Sequence, residues 1–319
     1  MRFGGAWRPK LLREGLFPNA ARWRVWSILT DLPDSHVTGA VYTSRMPDTT
    51  TLRVVFLGSG SGGNCTAVTD GTTTLLIDCG FSAREVARRM TAAGPSPDSV
   101  EAILLTHEHS DHLRGVEVFA RRHTCSVRAT RGTRMAAGLD AIGSEVITLV
   151  PGDESTVGTL TVITFRTSHD AAQPVGFRIT ASCGTSFGLA TDTGVLTPET
   201  AEALAEVDVL GIESNHDLSM LENGPYPSFL KRRIRSAQGH LSNPDAADAL
   251  ERLASSRLRH VYALHRSDTN NTASIAKRTL VARLAAIGLR VPVDVAPQSM
   301  PLDSMPAQTE LFAAEDGAR

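Results

Sequence analysis

The sequence predicts an α/β chain (α+β in some schemes) folded as a four-layer αββα sandwich, two mixed sheets face to face with helices outside. Two observations lead there. Consecutive strand-like runs joined by short turns recur in each half of the chain, and helical runs fall between those groups. A single doubly wound parallel sheet would instead need strict alternation of strand and helix. The 319 residues suffice for such a core, with 41% hydrophobic and 21% charged residues, an ordinary soluble mix.

The first strand is LRVVFL (52–57), followed by CTAVTD (65–70) and TTLLID (73–78), with Asp70-Gly71 as a favourable hairpin turn. SAREVARRM (82–90) reads as a helix whose Ser82 and Glu85 have capping-box spacing. The strand AILLT (102–106) runs into a helical DHLRGVEVFARRH (111–123). SEVITLV (144–150), LTVITFRT (160–167), VGFRITA (175–181) and SFGLAT (186–191) are strands. TPETAEALAE (197–206) is a helix opened by Thr197-Pro198, VDVLGI (207–212) a strand, and NPDAADALERLAS (243–255) a helix opened by Asn243-Pro244. HVYALH (260–265) and ASIAKRTLVARLAAIG (273–288) supply the last strand and helix. Residues 1–50 show no periodicity and are expected as a disordered N-terminal extension. Residues 51–297 form the folded domain, and 298–319, rich in Pro, Ser and Gln, a flexible tail.

A formal net charge of −2 provides no global field for nucleic acid, so such binding requires a local basic patch. Four cysteines without a C-x-x-C pair fit a reduced, cytoplasmic setting. No apolar run is long enough for a membrane span, and Arg13 and Glu14 interrupt any signal-peptide core.

GSGSGG (58–63) fits the dinucleotide fingerprint G-x-G-x-x-G, and Asp78 lies at the distance of its acidic partner. That fingerprint must open a helix to seat a pyrophosphate, whereas two β-patterned runs follow here. The match is therefore a coincidence.

The chemistry lies in LLTHEHSDHLRG, where His107, His109, Asp111 and His112 have H-x-H-x-D-H spacing. The motif starts at a strand end and turns into a helix. Alternation puts the first two imidazoles on one side, and the turn brings the other two groups to the same cavity. Three histidines and a carboxylate so close together point to metal rather than to core packing.

These residues resemble the metallo-β-lactamase fold superfamily, over about residues 52–296. Asp78 in LIDCG matches an aspartate that orients a metal-bound histidine from behind. His169 in TSHD, Asp192 in LATDTG and His265 in YALHRS match further ligands. The resemblance implies one metal on His107, His109, His169 and Asp192, and a second on Asp111, His112, Asp192 and His265. Two such metals, about 3.5–4 Å apart, share a hydroxide nucleophile and clamp a phosphoryl or carbonyl oxygen. The nitrogen and oxygen ligands suit Zn²⁺ or Mn²⁺.

Within the superfamily, Glu213 in GIESNHD and His240 in AQGHLSN are similar in position to motifs of tRNA 3′-end-processing nucleases. There the carboxylate favours a protonated imidazole, which acts as general acid toward the leaving oxygen. With Asp111, these are the candidate catalytic residues. ESNHD, GPYP, KRRI, GHLSN and LHRSDTNN resemble the YycJ (WalJ) group of small nucleases, which implies a 5′-to-3′ DNA exonuclease. Arg266 stands where that group's motif has leucine. Candidate substrate contacts are Lys231, Arg232 and Arg233, with Ser59, Ser61 and Asn64 of the glycine loop offering donors to phosphate oxygens. QTELF resembles a sliding-clamp docking peptide, through Gln308, Leu311 and Phe312. The alternatives are a glyoxalase II-like thioester hydrolase, a tRNA- or RNA-processing nuclease and a metal-stabilised interaction module. The thioester reading leaves Glu213, His240 and the basic run unexplained.

Overall fold

The computed structural model describes residues 52–304 throughout, with the backbone of Trp23–Trp26 and Tyr42–Arg45. The chain divides into two units at residues 49/50. In the first, β1 (Trp23–Trp26) and β2 (Tyr42–Arg45) pair antiparallel, where the sequence showed no strand pattern.

The second unit holds two seven-stranded mixed sheets. The first contains β3 (Arg53–Gly58), β4 (Cys65–Thr69), β5 (Thr74–Ile77), β6 (Val100–Leu104), β7 (Ser126–Thr130) and β8 (Val146–Leu149). The second contains β9 (Glu154–Val157), β10 (Leu160–Arg166), β11 (Val175–Thr180), β12 (Ser186–Ala190), β13 (Val209–Glu213), β14 (His260–Leu264) and β15 (Val293–Val295). A last strand, β16 (Leu302–Asp303), returns antiparallel to β3 at the edge of the first sheet. Neighbours β3 to β5 and β9 to β12 are antiparallel, whereas β5 to β8 and β12 to β15 run parallel.

Inward-facing side chains of both sheets, among them Phe56, Ile77, Phe177, Phe187 and Tyr262, form the central core. The outer face of the first sheet packs on α1 (Ala83–Ala93), with α2 (Ser110–Leu113), α3 (Val116–His123) and α4 (Arg131–Ala136) following on. The other side carries α5 (Pro198–Leu204), α6 (Leu218–Asn223), α7 (Ser228–Ile234), α8 (Asn243–Leu253) and α9 (Ala273–Ala286). The αββα expectation holds.

Local differences have physical causes. The helix expected over 111–123 breaks into α2 and α3 at Gly115. Its N–H donates to Cys79 O at 2.8 Å, and a Cβ there would sit 2.3 Å from Phe81 O. α8 is capped by Ser242 rather than Asn243, through a reciprocal box with Asp245. Ser82 caps α1, but the Glu85 carboxylate turns to Arg88 and Arg89 instead of completing the box. Cys79 is fully enclosed, and burial pushes its thiol up. Part of the expected flexible tail is fold: Gln298 and β16 are tied to β3 and the glycine loop, and Arg53 pairs with Asp303. Gln308, Leu311 and Phe312 lie outside the described residues. Among the described residues no helix is long and apolar enough to cross a membrane.

Candidate metal centre

The site lies along the carboxyl ends of parallel strands from both sheets. Asp78 follows β5, His107 follows β6, Asp192 follows β12, Glu213 ends β13 and His265 follows β14. Asp78, Asp192 and His265 have φ of 60°, 52° and 49°, in the left-handed region that disfavours L side chains. Such backbone costs about 1 kcal/mol or more per residue and persists where surrounding contacts over-determine it. Here it turns three side chains off their strands into one cleft.

Donor atoms of His107, His109 and His169 lie within 4.8 Å of one another, as do those of Asp111, His112 and His265. Asp192 joins both groups, clustering with His107 and His112 on one side and with Glu213, His240 and His265 on the other. All seven residues expected as ligands are thus brought together.

Four of the histidines use one ring nitrogen outward. His107 Nδ1 donates to Thr106 Oγ1 (3.0 Å) and His112 Nδ1 to Asp78 Oδ2 (2.8 Å). His169 Nδ1 donates to Gly239 O (3.0 Å) and His265 Nδ1 to Glu213 Oε1 (3.0 Å). Each therefore turns Nε2 toward the cluster, the arrangement a metal-binding imidazole needs. His107 Nε2 and His265 Nε2 are buried without a hydrogen-bond partner. Burial first, and the four neighbouring imidazoles next, hold His107 well below the usual histidine range, so its ring is neutral. His112 goes the other way: burial opposes its charge, yet Asp78, Asp192 and Asp111 raise it to about 9. A neutral imidazole is a ligand, and clustered carboxylates attract a cation. The residues fit divalent metal ions.

Asp78 lies directly behind His112. Its Oδ1 also accepts the Thr106 N–H at 2.9 Å, and Thr106 Oγ1 donates to both carboxylate oxygens. Thr106 thereby links Asp78 to His107 as well as to His112, a connection the motif did not reveal.

Glu213 is fully buried, and four donors converge on it. Oε1 accepts from His240 Nδ1 (2.8 Å) and His265 Nδ1 (3.0 Å), and Oε2 from the N–H groups of Thr193 (2.9 Å) and Leu241 (3.3 Å). Burial opposes the charge, but the imidazoles hold this carboxyl well below its usual range. Burial likewise opposes charge on His240, while Glu213 and Asp192 raise it above the ordinary histidine value. His240 lines the same cleft as His109, Asp111, His169, Asp192 and His265.

The expected phosphate contacts fare less well. The glycine loop leads into β4, not a helix, and its polar side chains face inward. Ser59 Oγ accepts the His265 N–H at 2.8 Å, and Asn64 bonds Gly60 through both amide atoms. Both are buried, so the loop keeps only Ser61 facing the cleft. On α7, Lys231 Nζ donates to Glu222 O and Arg232 is exposed, while Arg233 lines the cleft with its guanidinium already paired to Asp170. Helical spacing explains the split, since Leu230, Arg233 and Ile234 share the face turned to the cleft. Arg266 folds back on its own turn, donating to Ser267 O and Asn271 O.

Residues 73–265 match the family described as the β-lactamase superfamily domain. The chain is 36% identical over 245 residues to exodeoxyribonuclease WalJ of Streptococcus pneumoniae, covering 75% of this chain and 90% of that protein. It is 35% identical over 239 residues to exodeoxyribonuclease YycJ of Bacillus anthracis, covering 74% and 90%. Among solved structures, the metallo-β-lactamase fold protein YhfI of Bacillus subtilis superimposes with a TM-score of 0.62. That likeness has 16% identity and covers 79% of this chain and 99% of the other.

Proposed function

The chain belongs to the β-lactamase superfamily, alongside WalJ and YycJ, and from that premise we infer that it is a metal-dependent exodeoxyribonuclease. Sequence identity to two exodeoxyribonucleases over nine tenths of their length supports DNA as the substrate. We assign one metal to His107, His109, His169 and Asp192 and a second to Asp111, His112, Asp192 and His265, as Zn²⁺ or Mn²⁺. The converging Nε2 atoms and the shared position of Asp192 support that division. When bound, the ions supply an activated water and neutralise the phosphoryl oxygens.

The protein's own residues do the rest. Asp78 and Thr106 hold His112 and His107 in one orientation, and Gly239 O holds His169. His240 delivers a proton to the leaving oxygen of the phosphodiester, with Glu213 keeping the ring charged and turned toward the cleft. The observation that carries this reading is the Glu213–His240 pair in the cleft of the donor clusters. The thioester reading leaves that pair unexplained. Cys65, Cys79 and Cys125 are buried free thiols, which supports a reducing, cytoplasmic setting.

The test is hydrolysis of 5′-labelled duplex DNA, a precursor tRNA and a glutathione thioester, each with Mn²⁺, with Zn²⁺ and with chelator. Metal-dependent trimming of DNA from the 5′ end is expected, and His240→Ala should abolish it with metal still bound. Turnover of the thioester alone, indifferent to His240→Ala, would reject the nuclease reading.

A further inference from the structure

Between Glu213 and His240 the chain builds one wall of the cleft from α7 and the Gly-Pro-Tyr-Pro link that precedes it. Tyr226, Leu230, Arg233 and Ile234 of this segment line the cleft with the metal donors. Tyr226 differs from the others. It is half-buried, and among the described residues its hydroxyl has no hydrogen-bond partner and its ring no aromatic or cationic neighbour. An enclosed tyrosine hydroxyl ordinarily finds a hydrogen-bond partner. Pro225 and Pro227 flank it and restrict the backbone on each side, so less main-chain freedom is lost when a ligand meets the ring.

The wall is anchored where it meets the chemistry. The His240 N–H donates to Ile234 O at 2.9 Å, Ser168 Oγ to Ala237 O at 2.7 Å, and Asp170, beside His169, pairs with Arg233. On the same helix Phe229 is 66% exposed and Arg232 is exposed, so an aromatic and a basic side chain continue the surface outward. Preset aromatic faces interleaved with arginine are how sequence-tolerant sites hold unpaired nucleotides: every base has a π-face, and every nucleotide a phosphate.

We propose that Tyr226 is the stacking surface for the nucleobase adjoining the scissile phosphodiester, so that the strand end is unpaired when it occupies the cleft. The proposal deepens the nuclease reading and rests on it. The strand end lies against the Tyr226 wall, its base on the ring and its phosphate toward the donor clusters and His240.

The experiment is a two-by-two cycle with the full chain and Mn²⁺. Wild type and Tyr226→Ala each degrade a single-stranded oligodeoxynucleotide whose terminal nucleotide carries a base or is abasic. Tyr226→Ala should lower kcat/KM on the base-bearing strand about tenfold, equivalent to about 1.4 kcal/mol for one stacked base. On the abasic strand it should change kcat/KM less than about twofold, the margin we set for no coupling. Tyr226→Phe keeps the ring and should restore wild-type rates, which separates stacking from misfolding. A terminal 2-aminopurine should lose fluorescence on binding wild type and not on binding Tyr226→Ala. Equal losses on both strands, or no loss on either, overturn the stacking role while leaving the nuclease reading intact. Failure of wild type to cleave any strand while it turns over a glutathione thioester overturns both.

Discussion

The carboxylate of Glu213, with no exposed surface, accepts a hydrogen bond from His240 Nδ1 at 2.8 Å. A bare carboxylate is not buried without compensation, and here four donors meet it. Glu213→Gln keeps the volume and removes the charge that favours imidazolium on His240. Expected is a fall in kcat of about 100-fold, the range typical of losing a positioned proton donor. Glu213 also orients His265, so the assay runs across a metal titration. If excess metal restores the rate, Glu213 serves only His265 and the general-acid role of His240 loses its support.

Asp78 provides a cleaner test of metal binding. Its side chain orients His112, and with Thr106 it also fixes His107. Asparagine is the informative replacement, because it tolerates the left-handed backbone at φ 60° better than other residues. Asp78→Asn should weaken metal binding about 10- to 100-fold, read by competition with a chromophoric chelator. Stripping wild type with chelator should lower the melting temperature by about 5 °C, as expected when the native state alone binds a ligand held well above its dissociation constant. Unchanged affinity and an unchanged melting temperature would remove these residues from the metal site.

How far the site was legible depends on what each residue had for a signal. His107, His109, Asp111 and His112 form a local constellation that no packing rule produces, so sequence alone revealed them. Asp192 and His265 carry no local pattern and became visible only through their order in a family motif. Tyr226 had no such help, since a lone aromatic between prolines reads as loop until the fold turns it into the cleft. The inward turn of Ser59 and Asn64 was also hidden, because Ser59's partner, His265, is 206 positions away. Strands fared similarly. β9, with the sequence Glu-Ser-Thr-Val, is a polar edge strand without apolar alternation, and β16 is a two-residue strand paired to β3 at the sheet edge, too short to carry a pattern.

Arg89 shows the same limit and carries the last prediction. In SAREVARRM it looks like the second of two consecutive surface arginines, yet it lies three residues after buried Val86, on the inward face of α1. It is buried against Phe81, with the guanidinium 4.0 Å from the ring centroid. It donates to Leu57 O, to Gln298 O and to the Glu85 carboxylate. One side chain thus joins α1, β3 and the segment that clamps the glycine loop, where Gln298 binds Gly62 N and Gly63 O. Arg89→Met should lower stability by about 3 kcal/mol, because the two carbonyls lose their buried donor and Glu85 keeps only Arg88. The pH dependence has a definite sign. Arg88 and Arg89 hold Glu85 at about 2, below its ordinary 4.5, so the pairing stabilises the fold above 4.5 and is lost as pH falls toward 2. Urea unfolding at pH 7 and at pH 3 should therefore show a smaller difference between wild type and Arg89→Met in acid. A variant as stable as wild type at pH 7 would mean that Arg89 fills space without holding the loop.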